Sequence, residues 1–444
     1  MDAFWPTFTR RPQTPPAFAG DLAMQQSAHM PTPAQVVIPL QDTPEDPFQV
    51  FVGSGDIVQA GQKIGIMGKE PNHIAVHATV SGTISAIIPM PHPLVYQINS
   101  VRISAQQKEK KIQNRPCSTV SHEDIFYFFR EMGIPLDYAS LPNAACLIVN
   151  ATEFEPGISA KQRILIEKQE AVAGGLKLLA EASGTTKVVL ICEKKDEQIR
   201  SIVWNICNKI QTATVQEVDS PFPDTIQELL RQKHARQSCD ANKEASSDTS
   251  LMLDPAILAA AYDAYYHDIP FMEQLITVAG SGVQTPMNVW VPIGTLLSDI
   301  IQYAGGDPAS ARRVTIGGTL TGRPQYSLGA PLIKKSHAVI ANIAIAFDKG
   351  RRSRFYNRCA CVRCGKCVDV CPARIPPNTI AELIEHRRFD DAAGLGLFSC
   401  LECGLCYYVC PSQIPLVELL KLGKLNSRGR DSLLIFNSYK TLYS

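Results

Sequence analysis

CVRCGKCVDVCP at residues 361–372 and CLECGLCYYVCP at residues 400–411 decide how the chain is read. Each stretch spaces its cysteines as C-x2-C-x2-C-x3-C and follows them with proline: Cys361, Cys364, Cys367, Cys371 and Pro372, then Cys400, Cys403, Cys406, Cys410 and Pro411. A tight loop with this spacing turns three thiolates around one cubane, while the fourth, one helical turn on, points away toward a second. The pattern predicts two 4Fe-4S clusters, one held by Cys361, Cys364, Cys367 and Cys410, the other by Cys400, Cys403, Cys406 and Cys371. Gly365 and Gly404 let backbone amides approach cluster sulfides, and such hydrogen bonds tune potential. Structural zinc also uses C-x2-C pairs, but two complete, near-identical tetrads argue against it. Cys359 lies two residues ahead of the first tetrad, out of register, and is expected to be no ligand.

Eight of the fourteen cysteines fall in these 50 residues, which is ligand spacing rather than disulfide spacing. Cys117, Cys146, Cys192, Cys207 and Cys239 are scattered, mostly in apolar segments where cysteine behaves as a small hydrophobe, and a reducing cytoplasm suits them all. The 444 residues are 45% hydrophobic and 19% charged, with 43 basic against 42 acidic side chains. That length suggests several domains, and the near-neutral charge argues against nucleic acid as a partner. No apolar run approaches the roughly 20 residues that span a bilayer, so no membrane crossing is expected. Nor is a secretory signal expected in the proline-rich N-terminus.

Upstream, the pattern changes three times. Short β-rich runs alternate with glycines from Val36 to Ile88, as in GDIVQAGQKI (55–64) and VHATVSGTI (76–84). Strand-like ACLIVN (145–150), KVVLIC (187–192) and ATVQEV (213–218) then alternate with helical stretches, one running from Ser159 to Ser183 and one around Ile199 to Ile210. These continuous apolar strands predict a parallel sheet covered by helices. The polar stretch 231–250 reads as an exposed loop, PAILAAAYDAYY as a helix, and ITVAGSGVQTPMNVWVPIGTLLSDIIQYAGG (276–306) as short strands with one helix.

The cysteine tetrads resemble those of bacterial two-cluster ferredoxins, and the helical stretch between them resembles the fumarate-reductase-like variety. GDIVQAGQKI and VHATVSGTI resemble a biotinyl-lipoyl sandwiched hairpin, with Lys69 outside the setting of a modifiable lysine and the module read as a scaffold. Residues 276–306 resemble the SLBB domain. Together with LIVNATEFEPG, IGGTLTG and the ending CPSQIPLVELLKLGK, these segments resemble, in order, the C subunit of Rnf-type electron transport complexes. The resemblance implies a multidomain α/β and α+β chain. Its expected parts are a tail (1–30), a barrel-sandwich hybrid (31–105), a Rossmann-like α/β domain similar to the complex I flavoprotein subunit (118–272), an SLBB-like β-grasp domain (273–345), a helical two-cluster ferredoxin domain (350–425) and a tail (426–444).

In that family the α/β domain binds FMN and NADH through a glycine-rich loop and an N-x-x-E-x-E-P strand end. The strand end is present as Asn150, Glu153, Glu155 and Pro156, and a helix N-terminus following it favours carboxylates. The glycine loops are not. REMGIPLDYASLP (Arg130 to Pro142) keeps one glycine, Gly133, and brings Leu136, Asp137 and Tyr138 into the space of a phosphate; SPFPDTIQELLRQ (Ser220 to Gln232) and GGTLTG (Gly317 to Gly322) replace two further loops. FMN and NADH are therefore disfavoured, and no catalytic residue is assigned. The expectation is an electron-transfer subunit, not catalytic alone, relaying single electrons between a ferredoxin-like or flavoprotein carrier and other subunits, some membrane-embedded. It would be cytoplasmic, at the inner face of the inner membrane. The alternative is an FMN-containing NADH dehydrogenase or corrinoid reductase of the same architecture, and a further reading turns the old cleft into a protein-binding surface. The basic run Lys349 to Arg358 is a candidate for docking an acidic carrier or anionic lipid, against a plain solvated linker.

Overall fold

A computed structural model describes residues 22–106, 124–153, 155–219, 250–334, 338–343 and 358–427, with Phe222, Pro223, Ile226, Leu230 and Ser336. Cys117, Cys239, most of the 220–250 stretch, the basic run before Arg358 and the end of the C-terminal tail lie outside the described residues. The chain falls into two compact units, one built around residues 22–343 and the other around 358–427.

In the first unit, β1 (Ala28–His29) precedes a small all-β module of β2 (Gln35–Pro39), β3 (Phe48–Val50), β4 (Ile57–Val58), β5 (Lys63–Met67), β6 (Ile74–His77), β7 (Gly82–Pro91) and β8 (Gln97–Ala105). These form two antiparallel sheets, β2-β8-β7-β4 and β3-β5-β6, over a core that includes Val36, Ile64, Ile84 and Val101. Residues 22–30, expected as part of a tail, are built in instead. β1 pairs in parallel with Val289 and Trp290, the Ser27 hydroxyl donates to the Glu167 carboxylate at 2.7 Å, and the Asn288 amide donates to the Leu22 carbonyl at 3.0 Å. Satisfied backbone fixes this segment although its composition carries no strand signal.

The α/β layer follows: α1 (Ile125–Glu131), β9 (Cys146–Asn150), α2 (Ala160–Glu167), α3 (Gln169–Ser183), β10 (Val188–Glu193), α4 (Glu197–Cys207), β11 (Ala213–Val218), β12 (Ser250–Leu253) and α5 (Pro255–His267). Its sheet is wholly parallel in the order β11-β10-β9-β12, so the connections diverge between β9 and β12, the place where such sheets take ligands. The expected single helix over 159–183 is two helices. At Lys168 the backbone leaves helical geometry, and its amine pairs with Asp263 at 2.7 Å over the Trp290 ring. α3 then crosses α5 at backbone contact: a Cβ on Gly175 would lie 1.9 Å from the Leu258 carbonyl oxygen. The SLBB-like part comprises β13 (Glu273–Ala279), β14 (Met287–Pro292), α6 (Leu297–Tyr303), β15 (Ala311–Ile316), β16 (Arg323–Pro324) and β17 (Ala338–Ile343), in the order β1-β14-β13-β17-β15-β16.

The second unit is helical and internally repeated: α7 (Lys366–Asp369), α8 (Pro377–Glu385), α9 (Phe389–Gly394), α10 (Leu405–Tyr408) and α11 (Leu416–Asn426). Gly365 and Gly404 precede α7 and α10 with φ of 76° and 74°, and Arg363 and Glu402 share φ of 52° and 55°. The two halves join through Ile380 and Ile384 of α8 and Leu420 of α11, where a Cβ on Gly423 would meet Ile384 Cδ1 at 2.4 Å. Among the described residues no helix is long and apolar enough to cross a membrane.

Gly175→Ala should destabilise the first unit by about 2 kcal/mol or more, because its obstacle is backbone rather than a movable side chain. Hydrogen exchange in α3 and α5 checks this; unchanged protection would contradict the close crossing.

Candidate cluster sites and a self-capped cleft

The second unit gathers its cysteines across the sequence repeat. Cys361, Cys364 and Cys367 line a small cavity together with Cys410, and Asn378, Gly365 and Ile414 complete its wall. Cys371 leaves its own loop: its charge acts on Cys400, Cys403 and Cys406, as that of Cys410 acts on Cys367. The protein alone favours thiols here. Burial pushes Cys403 up to about 12 and Cys406 well above its ordinary value, so a bound cationic cluster would be needed to hold these sulfurs as thiolates. Four thiols around one cavity, on loops opened by left-handed glycines, fit a 4Fe-4S cluster.

The two sets differ in setting. Cys361 and Cys364 are exposed, whereas Cys403 and Cys406 are buried. Lys424 of α11 donates to the Cys400 carbonyl at 2.6 Å and to Glu402 at 3.0 Å, fixing a cation against the second loop. On α8, Glu385 instead accepts from Arg358 at 2.7 Å. Cys359 is exposed, with its N–H on the Ser412 carbonyl at 3.0 Å. In the first unit, Cys146 and Cys192 are buried in the sheet, and burial pushes both up to about 11.

A cleft of about 600 Å3 opens at the switch point of the parallel sheet, walled by Asn150, Asp254, Leu136, Asp137 and the 317–322 loop. Its candidate anion-binding amides are already engaged. The N–H of Ala139 donates to Asn72 Oδ1, those of Ser140 and Leu141 to Asp137, and that of Leu136 to the Ile134 carbonyl. In GGTLTG, the N–H groups of Leu320 and Thr321 and the Thr321 hydroxyl all donate to the Glu155 carboxylate at 2.9–3.2 Å. A Cβ on Gly318 would collide with that carboxylate at 1.7 Å, so the glycine is needed for Glu155 to seat. Tyr138 turns inward and donates to the Ile134 carbonyl at 2.7 Å, while Leu136 and Asp137 face the cleft. The residues present therefore fit a phosphate poorly: its donors serve the chain's own acceptors.

Glu153 stands at the N-terminus of α2, where its Oε1 accepts from the Gln162 N–H at 2.8 Å. Its other oxygen is buried without a hydrogen-bond partner, beside the buried pair of Lys161 and Asp254 at 3.2 Å. Burial raises its pKa to about 7. The sequence motif located Glu153 and Glu155, but nothing local signalled that Glu155 reaches a loop 165 residues away.

The chain matches models of the RnfC barrel sandwich hybrid domain at residues 21–108, the Nuo51 FMN-binding domain at 133–253, the SLBB domain at 275–324 and the 4Fe-4S dicluster domain at 360–414. It is similar to the C subunit of the ion-translocating oxidoreductase complex of Haemophilus influenzae, 26% identical over 85% of this chain and 48% of that one. To the C subunit of the complex of the same name in Yersinia pestis it is 28% identical over 90% of this chain and 66% of that one. The chain thus spans about half to two thirds of the length of the curated relatives it matches. A solved NAD+-reducing [NiFe]-hydrogenase shares 15% identity at a TM-score of 0.42, over 73% of this chain and 63% of that one.

A glutamate whose folded pKa of about 7 lies above its unfolded value adds stability at low pH, and loses it as pH rises through 7. Glu153→Gln should therefore leave stability near pH 5 almost unchanged and add about 1–2 kcal/mol at pH 8. Denaturant melts at both pH values check this, and equal effects would contradict a protonated Glu153.

Proposed function

We propose that this RnfC-like chain is the iron-sulfur relay of an ion-translocating oxidoreductase complex, passing single electrons through two 4Fe-4S clusters without an FMN or NADH site of its own. The convergence of Cys410 on the first cysteine set and of Cys371 on the second carries the reading. Cys361, Cys364, Cys367 and Cys410 would hold one cluster, and Cys400, Cys403, Cys406 and Cys371 the other. A bound cluster supplies reversible one-electron storage at a potential set by its surroundings.

The chain's residues supply the rest. Loop geometry holds each thiol set in place, and burial of Cys403 and Cys406 keeps water from the second site. Exposure of Cys361 and Cys364, beside Val362 and Arg363, suits the first site to exchange with a docked carrier, ferredoxin-like or a flavoprotein. Other subunits of the complex would be the remaining partners, and the cytoplasmic face of the inner membrane the place of work. The self-capped amides around Asp137 and Glu155 support the absence of a resident phosphate cofactor.

A second reading keeps a flavin: the cleft is roomy at about 600 Å3, and the domain matches a FMN-binding model. NADH added anaerobically separates the two. The relay's visible spectrum should stay unchanged by NADH and bleach with dithionite.

Cysteine exchange tests the crossing. Cys410→Ser should alter the electron paramagnetic resonance signal of the cluster at Cys361, Cys364 and Cys367, and Cys371→Ser that of the other. Each variant disturbing its own loop's cluster instead would overturn the assignment. Lys424→Met should lower the midpoint potential of the Cys400-loop cluster alone, since a half-buried cation there favours the electron-rich state. A redox titration showing both or neither potential moved would contradict that placement.

A further inference from the structure

A second cavity, of about 500 Å3, lies in the first unit where the all-β module meets the 135–137 loop, Phe271 and the turn carrying Ile333 and Lys334. It shares Pro135, Leu136, Asp137, Ile333 and Lys334 with the wall of the cleft at the switch point. Ile38, Val76 and Ile333 give it an apolar wall; His77, His92 and Lys334 are among its polar groups, with the carboxylates of Asp42, Asp46, Glu70 and Asp137 also on the lining.

Both imidazoles are almost wholly buried, at 6% and 2% exposed, and each keeps one ring nitrogen without a hydrogen-bond partner. The network sets their tautomers. His77 bonds the backbone of Glu131, so its unpartnered Nδ1 carries a lone pair. His92 Nδ1 accepts from the Leu94 N–H at 3.3 Å, so its unpartnered Nε2 carries the proton. Burial lowers His77 to about 3 and His92 to about 4, which keeps both rings neutral. Lys334 donates to the Gly133 carbonyl at 2.5 Å and lies near His77 Nδ1: both atoms crowd the same point beside Gly133, which only a residue without a side chain tolerates.

Besides the exposed Lys69, the wall thus offers one buried amine, whose pKa burial lowers to about 7 and which a bound carboxylate would hold as ammonium, with one N–H donor and one acceptor that are both unsatisfied. An unsatisfied buried polar atom is costly to a folded chain, and a matching ligand recovers that cost. The carboxylates at the mouth are already engaged. Asp46 accepts from the Thr43 N–H, Glu70 pairs with His73 and Arg130, and Asp137 accepts from Ser140. Asp42, on the same lining, already acts as a countercharge to Lys334 and His92, so the wall takes at most one further anionic group.

We propose that this cavity binds a small monocarboxylic acid bearing a hydroxyl: the carboxylate on Lys334 and His92 Nε2–H, the hydroxyl donating to His77 Nδ1, and the apolar body against Ile38, Val76 and Ile333. Such a size is ordinary for a small-molecule site.

The three hydroxybenzoate isomers serve as probes, titrated calorimetrically into the full chain with its clusters loaded. At least one should bind saturably with one site per chain, and benzoate should bind about fivefold more weakly than that isomer. Benzylamine, with the charge reversed, should not bind. Lys334→Met should weaken the acid about tenfold or more, and His77→Phe should abolish the preference for the hydroxyl. Should either variant unfold, nitrogen-15 histidine labelling of the unmutated chain decides: the His77 Nδ1 resonance should move upfield with the hydroxybenzoate and stay with benzoate. No saturable binding by any isomer would overturn the proposal, as would binding indifferent to Lys334→Met or an unmoved Nδ1 resonance under saturating probe. Ordered water would then be what satisfies the two rings.

Discussion

Each cysteine loop of the second unit is incomplete without a thiol from the other. The cavity lined by Cys361, Cys364 and Cys367 closes only with Cys410, and Cys371 stands with Cys400, Cys403 and Cys406. Clusters held in this way would tie the halves together across the repeat, because burial disfavours the thiolates and cationic iron would be needed to draw them in. The matched left-handed positions at Gly365 and Gly404, and at Arg363 and Glu402, bring the loops into that geometry. The contact of Gly423 with Ile384 then lets α8 and α11 close behind them. Each half carries an ion pair, but Lys424, paired with Glu402, also bonds the Cys400 carbonyl of its loop, whereas in the other half Glu385 pairs with Arg358.

The first unit applies internal satisfaction to the opposite end. At the switch point of a parallel sheet, amides and helix N-termini ordinarily attract an external anion. Here Asp137 caps its own loop, Glu155 fills GGTLTG, and Glu153 caps α2. Glu155 is costly to bury, since desolvation raises its pKa, and the amides of Leu320 and Thr321 with the Thr321 hydroxyl offset that cost. The arrangement holds the loop shut without a bound cofactor while leaving an open cleft beside it.

The legible parts of this chain were those encoded by near neighbours. Cysteine spacing, the apolar strands at 146–150 and 188–193 and the stripe of α4 announce themselves within a dozen residues. The unreadable parts depend on distant partners. β1 is a strand only because Val289 and Trp290 pair with it, and β12 carries no turn signal that separates it from the polar stretch before it. The helix break at Lys168 answers to Asp263 and Trp290 on other elements. Loss of the glycine loops was visible from residue types, but not that Asp137 and Glu155 take over the freed donors.

A relay of this kind requires two clusters and no flavin on the chain. Iron, acid-labile sulfide and extractable flavin measured on one anaerobically purified sample test it together. The relay predicts about eight irons and eight sulfides per chain with no flavin, four of each per cluster. One FMN per chain would contradict it, as would about four irons.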